Sequence, residues 1–173
     1  MRNCLMFPDA QGRLGTLVPA LRAGGYAPLA AGEEPERVCA REAERGLALI
    51  GAGEGSLRAL LLAERYNVAA VVLIGCPLRP RDSSPLRRRA EHNLFCVVGD
   101  VLVIQPLADA SMPPRGADVL LCGVSSRVRR RLDLGEAFAD LWTSCKQPLI
   151  CAVLDFLDGR AAANALAQTR KTW

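Results

Sequence analysis

Gly51-Ala52-Gly53-Glu54-Gly55 follows a short apolar run, Leu47-Ala48-Leu49-Ile50, and leads into Leu57-Arg58-Ala59-Leu60-Leu61-Leu62. Such an order describes a buried strand that turns sharply into a helix. In its Gly-x-Ser-x-Gly form the turn lifts a serine above a sheet edge, where it attacks an acyl carbon. Here the middle residue is Gly53, which has no side chain to attack with. Glycines at 51, 53 and 55 permit a strained backbone and a close approach of strand to helix. They also spell Gly-x-Gly-x-Gly, but a dinucleotide fingerprint wants Gly-x-Gly-x-x-Gly, and its third glycine falls at Ser56. The next strand runs into Gly75-Cys76-Pro77 instead of ending in an acid, and Glu54 would face the phosphates. No cofactor is expected.

Acyl transfer needs a nucleophile, a base that takes its proton, and an acid that orients the base. Cys76 is the alternative nucleophile, because Arg79 and Arg81 follow it closely and basic neighbours lower a thiol's pKa. His92, the only histidine, would then be the base, with Asp109 or Asp100 behind it. Against this, a cysteine at a strand end ordinarily packs as a small hydrophobe. Ser56 falls inside the helix and lacks small flanking residues. One histidine and seven cysteines, with no Cys-x-x-Cys spacing, make no metal signature.

These residues must be carried by alternating strands and helices. Apolar runs predict strands near 3–7, 27–31, 47–52, 69–75, 101–106 and 117–123. Val71-Val72-Leu73-Ile74 and Val101-Leu102-Val103-Ile104 are continuous, as strands buried on both faces should be. Helical periodicity and end signals predict helices near 14–24, 34–45, 55–65, 84–92 and 134–158. Gly24-Gly25 stops the first, and Pro35 after two glutamates starts the second. Proline-rich loops fall at 76–85 and 107–117. The expected fold class is α/β: a three-layer sandwich around a mostly parallel sheet of about six strands, in one domain over 1–173.

With those elements placed, the chain resembles the α/β-hydrolase superfamily over most of its length. Phe7-Pro8-Asp9-Ala10-Gln11-Gly12 and Leu17–Tyr26 are similar to the first strand, oxyanion loop and helix. Residues 47–76 are similar to the elbow strand, elbow helix and following strand. Val101–Pro114 resembles the strand whose loop supplies the triad acid, with Asp109 in the acid's place. Ala117–Gly123 resembles the last strand, after which the family carries its histidine. Val153-Leu154-Asp155-Phe156-Leu157 is similar to the final helix. The resemblance implies a trimmed core without a cap domain. It departs from the family where the chemistry lies: Gly53 stands for the nucleophile, the loop Gly123-Val124-Ser125-Ser126-Arg127 puts Ser125 where a histidine belongs, and Pro8 has no N–H to donate. Only Asp109 remains, and its plain alternative is a loop or cap carboxylate. The expected function is therefore a catalytically inactive hydrolase-like protein that binds a partner or small anionic ligand at the carboxyl edge. Its rivals are an active esterase or thioesterase using Cys76, and a structural subunit packing against an active relative.

The arginines bear on that edge. Twenty of the 22 basic residues are arginine, an excess that a GC-rich genome also produces. Arg79, Arg81, Arg87, Arg88 and Arg89 follow one strand, and Arg127, Arg129, Arg130 and Arg131 follow another. Loops after parallel strands share an edge, so Arg79, Arg81, Arg87, Arg88, Arg130 and Arg131 are expected to form a basic rim that pairs with carboxylate or phosphate. Ordinary solvated pairs with Asp82, Glu91, Asp133 and Glu136 explain them equally well. A net charge of +4 and the lack of interleaved aromatics argue against nucleic acid. The expected partner is a protein, a second copy of the chain, or a small anion. No apolar run approaches the ~20 residues of a membrane span, the N-terminal apolar stretch is too short for a signal peptide, and unpaired cysteines suit a reducing cytoplasm.

Overall fold

The structure, a computed structural model, describes residues 2–32, 34–78 and 85–169. In chain order the elements are β1 (Arg2–Phe7), α1 (Val18–Ala23), β2 (Tyr26–Ala30), α2 (Pro35–Glu42), β3 (Ala48–Ala52), α3 (Glu54–Ala63), β4 (Ala70–Ile74), α4 (Pro85–His92), β5 (Asp100–Pro106), α5 (Pro114–Gly123), β6 (Arg129–Leu134) and α6 (Lys146–Thr169). All six strands run parallel in the order β2-β1-β3-β4-β5-β6. Every connection is short, and the longest, residues 135–145, has no room for a cap domain. No helix among the described residues is long and apolar enough to cross a membrane.

The strands are apolar on both faces because each face is covered. Leu5, Phe7, Leu49, Val71, Leu73, Val101 and Val103 pack with Cys39 of α2, Leu57 and Leu60 of α3, Ala90 of α4 and Leu120 of α5. The alternate residues, Cys4, Met6, Ile50, Val72, Ile74, Leu102 and Ile104, pack with Leu21 of α1 and Leu149, Val153 and Phe156 of α6. Period-two alternation thus sorts one strand set into two cores.

The final third departs from the sequence expectation. Residues 117–123 are not a strand but part of α5. Its buried residues, Gly116, Ala117 and Leu120, with Val124 beyond, recur every three or four positions, while Cys122 is exposed. Pro113 and Pro114 start it, a signal consistent with a helix N-terminus. The sixth strand is Arg129–Leu134, in a segment rich in arginine. It is an edge strand, so only one side needs a partner and charged side chains are tolerated, and they guard the open edge against further pairing. Leu132 and Leu134 turn toward the α1–α6 core. The helix expected from 134 begins at Lys146, because residues 129–134 pair with β5 and residues 135–145 form a loop with one 3-10 turn.

The tightest joint is α3 against β1 and β3. A Cβ at Gly55 would lie 2.0 Å from the Phe7 carbonyl oxygen, and one at Gly51 would lie 2.5 Å from the Ser56 Cα. Both obstacles are backbone and cannot swing aside. Gly55→Ala should therefore lower stability by about 1–3 kcal/mol or more, the usual scale of overpacking. Urea unfolding with an unchanged m-value checks it, and a midpoint equal to that of the parent chain would show that α3 can move.

Candidate functional site

β1 and β3 are neighbours whose onward connections leave in opposite directions, to β2 and to β4. Open α/β sheets bind ligands beyond the carboxyl ends of such a strand pair. Gly53 lies at the end of β3 with φ 53° and ψ −129°, and its N–H donates to the Ile74 carbonyl at 2.9 Å. The sharp strand-to-helix turn expected from the three glycines is there. Ser56 is fully buried, with its hydroxyl 3.4 Å from the Ile74 carbonyl.

Phe138, in the loop after β6, covers this turn. A Cβ on Gly53 would be 3.4 Å from the ring's Cζ, and one on Gly75, after β4, would clash with it at 2.4 Å. The ring is 7 % exposed. It meets Trp142 edge to face at 5.8 Å, and the Arg13 guanidinium lies 5.5 Å from its centroid. Arg13 also sits 3.3 Å from Asp9, whose other carboxylate oxygen accepts the Arg13 backbone N–H at 2.8 Å. Asp9 is buried, and a side chain begun at Gly53 would meet its Cβ at 3.4 Å. The sequence reading missed Phe138 because it placed the last strand too early; the signal was Gly135-Glu136-Ala137-Phe138, four residues past a half-buried edge strand.

Asp109 is brought to this place, in the loop after β5. One carboxylate oxygen accepts the Phe138 N–H at 3.4 Å, and the other accepts the Ser111 N–H at 2.8 Å and the Ser111 hydroxyl. Buried Gln105 steadies the same loop by donating to the Met112 carbonyl at 2.6 Å. The acid thus anchors two loops through their backbones.

The other expected site residues lie elsewhere. Ser125 is exposed, and its N–H donates to the Val97 carbonyl at the amino end of the sheet, opposite Gly53. It follows a helix, not the last strand. Arg129, Arg130 and Arg131 lie within β6, paired with Val101, Leu102 and Val103, so they form no rim at the carboxyl edge. Arg131 is held by Asp133 at 2.6 Å and by Asp118 of α5. Arg130 is exposed on the edge strand. Arg87 does reach the elbow, but as the 2.6 Å partner of Glu54, and Arg88 points to solvent from α4. Arg79 and Arg81 lie outside the described residues. The shared basic rim is therefore corrected: an edge strand was read as a loop. His92 is the exposed last residue of α4, and Asp100 opens β5 at the amino end.

Cys76 is packed into the α2–α5 core at 5 % exposure. Burial pushes its thiol up to about 12, against weaker lowering by the Leu78 backbone and Arg87. A nucleophilic thiol needs the opposite shift.

No family model matches the chain, and no curated protein matches it in sequence. Solved structures do resemble it. The Paleococcus ferrophilus monoacylglycerol lipase superimposes with a TM-score of 0.73 at 14 % identity, over 91 % of this chain and 94 % of that one. The esterase domain of a Rhodothermus marinus protein gives 0.69 at 18 %, over 92 % and 85 %. DcsB, solved with a substrate analogue, gives 0.75 at 11 %, over 92 % and 91 %. Identities this low speak to the fold alone, and the fold is that of an α/β-hydrolase core. Native protein treated with iodoacetamide at pH 8 should be alkylated at exposed Cys122 and Cys151 and spared at buried Cys76. Peptide mass spectrometry reads this, and rapid labelling of Cys76 would place its thiol in solvent.

Proposed function

We propose that the chain is a hydrolase-fold protein without acyl-transfer activity, using the carboxyl edge of its sheet to bind a protein partner or small anionic ligand. One observation carries the reading: the turn where a hydrolase holds its nucleophile is Gly53, and the aromatic ring of Phe138 lies directly on it. Phe138 follows the last strand, the place where the family carries its histidine, and its N–H meets Asp109, the residue in the acid's place. A phenyl ring takes no proton. Loss of a nucleophile or a base from a triad costs on the order of 10⁶ in rate, and the two losses are not additive.

The electrostatics of the turn point the same way. An oxyanion is stabilised by donors aimed at the charge that develops. At this corner Pro8 offers no N–H, and the next residue is the buried carboxylate of Asp9. Arg13 pairs with that carboxylate, so its guanidinium offsets a fixed negative charge at the turn.

The second reading, an active esterase or thioesterase with a non-standard nucleophile, is favoured by the similar structures, which include lipases and esterases. The burial and raised pKa of Cys76 weigh against that residue as the nucleophile. A panel of p-nitrophenyl esters and thioesters, with a fluorophosphonate probe, separates the two. Wild type should show no turnover above buffer and no labelling. Gly53→Ser should stay inactive, because Phe138 still fills the base's place. Robust wild-type turnover would overturn the proposal, and its loss in Cys76→Ala would identify the nucleophile.

A further inference from the structure

On the other side of β1 from Phe138, a pocket of about 230 Å³ opens between α2 and α3, beside the carboxyl ends of β1 and β2. Its floor includes Phe7, Leu61 and Leu62, and its rim carries Arg58, Arg65, Arg89 and Glu36. Residues 58, 61 and 62 lie on one stripe of α3, and Arg65 follows in the turn just past the helix end, so two leucines are flanked by two guanidinium groups. Arg89 joins them from α4, which packs beside α3.

The charges do not balance. Arg65 is 3.8 Å from Glu36, an exposed pair of little strength. Among the described residues, Arg58 and Arg89 make no ion pair, although the Glu64 carboxylate feels the field of Arg89. Three guanidinium groups face one concavity, and Glu36 on the rim and Glu64 beside Arg89 offset them only in part. An anion between them removes the repulsion through charge-assisted hydrogen bonds. A short apolar body behind that anion would take the half-buried Leu61 out of water, against the buried Leu62 and Phe7 beneath it. The volume falls below the ~300–1,000 Å³ of sites for drug-sized ligands, so the body must be small.

We propose that this pocket binds a small amphipathic anion, a short apolar tail bearing a carboxylate or phosphate head, with Arg58 and Arg89 holding the head and Leu61 and Leu62 the tail. The inference rests on the binding half of the function proposed above and is independent of whether the elbow turns over esters. Isothermal titration calorimetry of the whole chain with hexanoate and hexyl phosphate tests it, and the tighter of the two identifies the head. Hexylamine and inorganic phosphate are the controls for charge and tail. Both hexyl anions should bind at a single site, and both controls at least about tenfold more weakly. Arg58→Gln with Arg89→Gln should weaken the hexyl anions by about tenfold or more, the scale of losing a charge-assisted contact. Arg130→Gln, on the distant edge strand, should leave them unchanged. All three substitutions lie at exposed positions, and thermal melting confirms that the variants are folded. Absence of saturable binding, equal binding of hexylamine, or unchanged affinity in the double variant would overturn the pocket. Inorganic phosphate that binds tightly and survives the double variant would also overturn it, while leaving anion binding elsewhere at the edge. None of these outcomes touches the ester assay, so the two proposals fail separately.

Discussion

One aromatic ring ties together the carboxyl edge of this sheet. Phe138 rests on Gly53 and Gly75, two glycines at positive φ whose missing side chains make the space it occupies. Its fixings come from three loops: Arg13 after β1, Asp109 after β5 and Trp142 after β6. Burying a phenyl side chain is worth about 1.5–3 kcal/mol, and an edge-to-face partner adds roughly 0.5–1.5 kcal/mol. Those loops would otherwise be the most mobile part of an α/β core. Here they are packed around a common centre, and the turn after β3 is covered by the phenyl ring with the Asp9–Arg13 pair beside it.

The arginines do different work in different places, and their sequence neighbours do not reveal which. Arg131 links β6 to α5 through Asp133 and Asp118, and Arg87 links α4 to the start of α3 through Glu54. These are joints between elements. Arg129 donates to the Leu121 carbonyl, near the end of α5 and thus among that helix's unpaired acceptors. Arg130 stands on the edge strand, where charge discourages sheet-to-sheet pairing. Arg58 and Arg89 differ in having no carboxylate within ion-pair reach among the described residues while sharing a pocket. A run of arginines in sequence thus says little about which of them lack an ion-pair partner in the fold.

The same contrast explains what the sequence made legible. β3, β4 and most of β1 and β5 were readable because a strand buried on both faces is apolar almost throughout, and half-buried β2 at the opposite edge was readable from its short apolar run. The turn at Gly51-Ala52-Gly53-Glu54-Gly55 was readable because close backbone approach tolerates only glycine. Beyond Pro106 both rules lapse. The apolar stretch Val119-Leu120-Leu121-Cys122 has a strand's composition but a helix's burial, and composition was the louder signal. Arg129–Leu134 is a true strand whose edge position relaxes the demand for apolar residues. Misplacing that strand moved the loop after it, and with the loop went Phe138. Asp109 falls in the loop just past β5, at short range from a run that is unmistakable. Arg89 was legible only as one of a run of arginines and Arg58 only as a residue of the helix after the glycine turn, since convergence across α3 and α4 is a property of packing.

The backbone at Gly53 bears on how such a turn can serve binding in place of chemistry. A residue with a side chain at φ 53° and ψ −129° costs of order 1–3 kcal/mol in strain, tolerated in enzymes because the surroundings over-determine it. Glycine adopts the same angles without that penalty, so the turn keeps its shape while shedding the strain. The space a serine side chain would need is given to Phe138, and the carboxylate of Asp109 is spent on loop N–H groups. These features favour a stable, closed turn at Gly53. The α2–α3 side keeps an open concavity rimmed by positive charge. On the proposed reading, recognition lies across β1 from the Gly53 turn, at the helix stripe that begins one turn later.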